Sequence, residues 1–179
     1  MQRFNQNQSI MENNSDKQKK GEVMINEGIK YKYQKQIDNL LAMGYQLPEL
    51  FAPDNMQACR FVFSGENHAN HIPQYMSNPR RMLQDVGKRK ANMSLLSLSC
   101  FTTAEKAEKF YTNLRKAFKN APTSIGDSLS EGHLTNEDGR KTTTATNGHF
   151  DFYEYETCDL NKTFQITRNL LEDEKDEKD

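Results

Sequence analysis

The sequence predicts an α+β domain: a mostly antiparallel sheet with two to three helices packed against it, and disordered polar tails at both ends. Three observations predict it. Apolar residues recur at helical spacing in two well-separated stretches, near 29–43 and 104–118. Short alternating segments bounded by turn residues crowd the C-terminal third without helix-length segments between them, which favours a meander over parallel βαβ units. The two ends are poor in apolar residues: 1–22 is rich in Asn, Gln, Ser and Lys, and 172–179 reads EDEKDEKD. Such segments cannot offset the entropy lost on ordering.

A chain of 179 residues accommodates one core plus tails, divided here as a polar tail over 1–24, one α+β domain over 25–170 and a charged tail over 171–179. The apolar fraction of 35% and mean hydropathy of −0.94 are low for a globular chain, as expected if the ends dilute the core. No apolar stretch approaches the ~18 residues of a membrane span, and no apolar run follows a basic start at the N-terminus. The expected location is therefore the cytoplasm, with no membrane partner. Cys59, Cys100 and Cys158 are odd in number and widely spaced, so reduced core thiols are expected rather than a disulfide framework. A net charge of −1 supplies no global field for nucleic acid, and any anion binding has to be local.

The first ordered element is a helix near 29–43, where Ile29, Tyr33, Ile37, Leu40 and Leu41 form a stripe and Gly44 offers a left-handed stop. ACRFVF (58–63) reads as a strand with Cys59, Phe61 and Phe63 on one face and Ala58, Arg60 and Val62 on the other. A long loop follows over 64–82, punctuated by Gly65, Pro73 and Pro79, and Met82, Leu83 and Val86 suggest a short helix ending at Gly87. MSLLSLSCF (93–101) reads as a strand with Leu96, Leu98 and Cys100 sharing a face. Thr102 and Glu105 have capping-box spacing before the stripe Ala104, Ala107, Phe110, Tyr111, Leu114, Ala117 and Phe118, and Pro122 prevents continuation. Strands then follow over 124–134, 141–146, 149–156 and 163–167, with turns at NEDG (136–139) and at Asn147-Gly148.

Four groups of residues are candidates for chemistry. His68 and His71, with Glu66, His133 or His149, have a metal-ligand spacing, but the Gly- and Pro-containing surroundings oppose the helix that would align them, so solvated loop histidines and no metal are expected. Arg80, Arg81, Lys88, Arg89 and Lys90 form a basic cluster able to hold phosphates, although charged helix flanks also serve solubility. Tyr75 is the one aromatic near it, so nucleic acid is a possible partner that is not favoured. Cys100 and Cys158 lack an electropositive neighbourhood in sequence, and Gly-x-Ser-x-Gly, P-loop and Gly-x-Gly-x-x-Gly patterns are absent. Last, alternation places Phe150, Phe152, Glu154 and Glu156 on one face, so that two carboxylates emerge together at the rim beyond an apolar anchor. They read either as the solvated end of a strand or as a carboxylate pair facing a substrate.

Arg60 in an early strand, Ser97-Leu98-Ser99 in a middle one and Glu154-Tyr155-Glu156 in a late one resemble the arginine-serine-glutamate pattern of ADP-ribosyltransferases. The resemblance covers three short segments, and Leu98 stands where that family usually has threonine. It implies NAD as cofactor, with Arg60 holding the dinucleotide phosphates, Ser97 and Ser99 supporting the nicotinamide pocket, Glu156 at the ribose and Glu154 activating an acceptor. Two functions are therefore expected in order. The first is a small binding or interaction module whose surface around 64–90 takes an anionic, phosphate-bearing ligand. The second is an NAD-dependent transferase, which requires Arg60, Ser99 and Glu156 to meet in one cleft within about 10 Å, close enough for one small ligand to bridge them.

Overall fold

The computed structural model describes residues 28–65, 70–77 and 93–171. The expected tails (apart from Leu171), the helix expected near 82–87 and His68 lie outside the described residues, as do Arg80, Arg81, Lys88, Arg89 and Lys90.

The expected α+β architecture is observed. Among the described residues there are six strands, β1 (Met56–Val62), β2 (Leu98–Phe101), β3 (Ser128–Leu134), β4 (Gly139–Lys141), β5 (His149–Glu154) and β6 (Gln165–Asn169). They form one sheet of order β4-β5-β2-β1-β3-β6 in which every neighbouring pair is antiparallel. The helices among the described residues are α1 (Gln34–Ala42), α2 (Gln74–Ser77), α3 (Ala104–Ala117), α4 (Ala121–Ser124) and α5 (Leu160–Thr163). Because β2 and β3 both flank β1 and both oppose it, they run parallel to each other, and α3 with α4 makes the crossing between them. Among the described residues no helix is long and apolar enough to cross a membrane.

Alternation sorts the core into two faces. Ala58, Leu98, Cys100, Leu134, Phe150 and Phe152 line one face and are covered by Cys158, Leu160 and Phe164 from the segment around α5. Cys59, Phe61, Phe101 and Leu129 line the other and pack on Ala107 and Tyr111 of α3. A third cluster joins Ile37 and Leu40 of α1 to Met93 and Leu96, with Tyr31, Tyr33, Tyr75 and Met76 against it. All three cysteines are unpaired and buried.

Where local structure departs from expectation, a competing hydrogen bond explains it. The first helix begins at Gln34 rather than Ile29 because residues 30–32 extend the sheet, Lys32 N–H donating to Glu154 O (2.9 Å) and Glu156 N–H to Lys30 O (2.9 Å). Its end at Gly44, in the left-handed region at φ 87, is as expected. The segment expected as one strand over 93–101 starts instead as a 3-10 turn, Met93–Leu96, closed by the Ser97 N–H and hydroxyl, both donating to Ser94 O. Serine competing for backbone in this way is why the segment has weak strand character. The cap of α3 is Thr103, whose hydroxyl accepts from Lys106 N–H (3.3 Å), one residue later than the spacing suggests, because Thr102 N–H is committed to Gly148 O (3.0 Å). The strand expected over 141–146 is β4, which is displaced towards 139 because at Thr142 the ladder keeps one bond, Thr142 N–H to Asp151 O (2.9 Å), while Asp151 N–H donates to the Thr142 hydroxyl (2.9 Å) instead of its carbonyl.

Candidate functional site

Arg60 sits in mid-sheet on β1, and alternation turns its side chain into the face made by Ala58, Leu98 and Cys100. It is 9% exposed. Its Nη1 lies 3.2 Å from Nδ1 of His71, and its Nε is buried without a partner among the described residues. Burial pushes the guanidinium pKa down, opposed by the fields of Cys100, Glu154 and Tyr33. A guanidinium nevertheless keeps its charge in a protein, so this is a buried cation.

His71 supplies the only hydrogen bond to that guanidinium among the described side chains. Because Nη1 can only donate, Nδ1 must accept, which fixes the neutral tautomer with its proton on Nε2. Burial, then the charges of Arg60 and Lys32, hold the imidazole pKa down to about 3. The backbone of His71 is left-handed, at φ 60, a conformation that costs a non-glycine residue on the order of 1 kcal/mol and gathers at functional sites. The edge-on ring of Phe164, 5.7 Å away, holds the imidazole in place.

Glu154 closes the cluster from the last residue of β5. It is 4% exposed, its Oε1 lies 2.9 Å from Lys32 Nζ, and its Oε2 is buried without a partner. Burial raises its pKa, offset in part by Lys32 and then by Arg60. Burial acts to lower the Lys32 pKa, but the hydrogen bond and charge of Glu154 outweigh it and leave that pKa raised. Lys32 is the solvent side of the cluster, with its side chain 31% exposed. Cys100 lies on the same face, but burial pushes its thiol up to about 12 against the field of Arg60, so it is no nucleophile at neutral pH.

Together these groups present a guanidinium at Arg60 with no ion-pair partner among the described residues, an ammonium at Lys32 and a carboxylate oxygen at Glu154 without a hydrogen bond. A buried guanidinium is costly unless an anion meets its fork, and a buried carboxylate oxygen is costly unless a donor meets it. Among the described residues, Arg60 Nε and Glu154 Oε2 are thus two buried polar atoms on one face with no partner to offset their burial.

The constellation expected from the sequence does not meet here. Arg60 and Ser99 lie on opposite faces of the sheet, since Ser99 alternates with Leu98 and Cys100 and stands opposite Asp151. Ser99 Oγ is 2.5 Å from Nε2 of His149, and the Ser97 hydroxyl is turned to Ser94 O (2.6 Å). Glu156 is exposed on the turn closed by Cys158 N–H to Tyr155 O (3.0 Å), beyond the end of β5. There it lines a surface cleft of about 570 Å³ with Lys30, Glu137 and Arg140. The two glutamates thus separate: Glu154 faces Arg60, and Glu156 does not. The phosphate site expected at Arg80, Arg81, Lys88, Arg89 and Lys90 falls outside the described residues.

Sequence reading missed Lys32 and the bond from Arg60 to His71. The available signal was a charged residue at an inward position of two otherwise apolar strands, Arg60 in ACRFVF and Glu154 after Phe150 and Phe152. No family model, curated protein or solved structure matches the chain.

Proposed function

We propose that this chain is a ligand-binding domain that receives a small anion, a carboxylate or a phosphate group, at Arg60, with Lys32, His71 and Glu154 completing the contact. The observation that carries the reading is the buried Arg60 guanidinium, bonded to a neutral imidazole and with Nε unpartnered. A bound oxyanion accepts from Nε and Nη together and removes the cost of that buried charge. Glu154 Oε2 accepts from a neighbouring hydroxyl or amine of the same ligand, which gives selectivity over a bare ion. Lys32 marks the solvent side and supplies the long-range attraction. The reading keeps a phosphate-bearing ligand in view and moves its site from the 80–90 cluster to the sheet.

Thermal unfolding in the presence of inorganic phosphate, sulfate, acetate and small phosphate monoesters tests it. A ligand at a hundredfold excess over its Kd adds about 2.7 kcal/mol of stability. The expected result is a saturable rise in melting temperature for at least one of these anions, lost in Arg60→Gln. An unchanged melting temperature with all of them, or an equal rise in Arg60→Gln, overturns the reading.

A further inference from the structure

The opposite face of the sheet carries a second polar cluster, which the anion site does not use. Ser99 on β2 and His149 on β5 are diagonal neighbours across an antiparallel pair in which Ser99 stands opposite Asp151 and Phe101 opposite His149. Alternation puts all four side chains on one face. Helix α3 covers Phe101 and its neighbours through Ala107 and Tyr111 and leaves Ser99 exposed. On this open stretch Ser99 Oγ approaches His149 Nε2 to 2.5 Å. The imidazole is held by the Phe101 ring, 5.3 Å away at 70°, and its backbone N–H is tied to Asn147 Oδ1 (3.1 Å). Asp151 lies on the same face, directly opposite Ser99 and two residues along the strand from His149, and His149 and then Ser97 oppose the rise that burial imposes on its carboxyl.

We propose that Ser99 is a nucleophile activated by His149, with Asp151 as a positioning residue, and that its substrate class is small activated carboxylic esters. A serine within hydrogen-bond reach of a histidine is the pair that converts a hydroxyl into a nucleophile, and Asp151 on the same face supplies the carboxylate such a pair uses. Ser99 is exposed, so a substrate can reach its hydroxyl, and that hydroxyl lies against the imidazole rather than a backbone carbonyl. In the step, Ser99 Oγ bonds to the carbonyl carbon while its proton passes to His149 Nε2. The carbon–oxygen bond to the leaving group breaks, and His149 returns the proton to the departing oxygen. Water then repeats the sequence on the acyl-serine, so that ester and water give acid and alcohol. The Asp151 carboxylate stabilises the imidazolium formed in between. This reading is independent of the Arg60 site, which lies across the sheet.

Treatment of the full chain with a fluorophosphonate probe tests it, because the same step, with fluoride leaving from phosphorus, yields a stable adduct that peptide mass mapping locates. The expected result is an adduct at Ser99 that is absent in Ser99→Ala and forms at least about tenfold more slowly in His149→Gln. Both variants are compared at melting temperatures matching the parent. In Asp151→Asn, slower labelling at an unchanged melting temperature supports the positioning role. An unmodified Ser99 in the parent chain, or equal labelling rates in the parent and His149→Gln, overturns the proposal, and an unchanged rate in Asp151→Asn overturns the part given to Asp151.

Discussion

If Arg60 is held for a ligand rather than for the fold, replacing it with an apolar residue of similar length should stabilise the ligand-free protein. In Arg60→Met the stem keeps its packing against the sheet while the charge is removed. The losses are one hydrogen bond to His71, 3.2 Å long, worth about 0.5–1.5 kcal/mol, an imidazole nitrogen left without its donor, about 1–3 kcal/mol, and the smaller part that Arg60, after Lys32, plays in offsetting the burial of Glu154. Against them stand the orphaned Nε, about 1–3 kcal/mol, and the burial of an unneutralised guanidinium, several kcal/mol. The balance favours the variant by about 1–3 kcal/mol, within the range by which apolar residues outperform buried charges elsewhere. Urea unfolding should show a higher midpoint with an unchanged m-value. A destabilisation of about 3 kcal/mol or more would refute the reasoning, because it would make Arg60 a structural partner satisfied by the fold itself.

Two further perturbations follow from the same contacts. His71 has an ordinary pKa of 6.5 and is held at about 3 in the fold, so between those values the unfolded chain binds more protons and stability is lost as pH falls. At about pH 5 this amounts to up to about 2 kcal/mol; Glu154, with its raised pKa, acts in the opposite sense, so the difference between the parent and His71→Phe isolates the histidine. Identical pH profiles for the two would contradict the assigned neutral imidazole. Gly126, at φ 135, lies where an added Cβ would stand 2.3 Å from Val62 O and 2.6 Å from Val62 C, both backbone atoms. Gly126→Ala should cost on the order of 3 kcal/mol in thermal unfolding, since strain and collision add, and a cost below about 0.5 kcal/mol would mean that the α4–β3 junction relaxes freely.

Much of the fold was legible because its signals are local. The faces of β1, the presence of α3 with Ala107 and Tyr111 inward and the stop at Gly44 follow from spacing within single segments, whereas Phe110, Ala117 and Phe118 of the expected α3 stripe stand exposed. What was not legible depended on partners remote in sequence. Alternation correctly turned Arg60 away from Phe61, but only the pairing of β1, β2 and β5 reveals that Glu154, not Ser99 or Glu156, shares its face. Lys30–Lys32 reads as the start of a helix and is instead recruited by the end of β5, which is how Lys32 reaches Glu154. His71 carries no periodic signal, being placed by a left-handed turn in a loop, and its meeting with Arg60 is a tertiary event. The inward arginine and glutamate were in plain view, and the proposed anion site rests on their unpartnered Nε and Oε2 among the described residues.

Titration of inorganic phosphate and of a small phosphate monoester, followed by the NMR signal of the Arg60 Nε–H group, bears most directly on an anion at Arg60. The signal is assigned by its loss in Arg60→Gln. A saturable shift of that resonance with at least one of the two ligands, reached before exposed arginines such as Arg168 respond, is the result predicted. An Arg60 Nε–H resonance that stays fixed while surface arginines shift with added phosphate would contradict the proposed site.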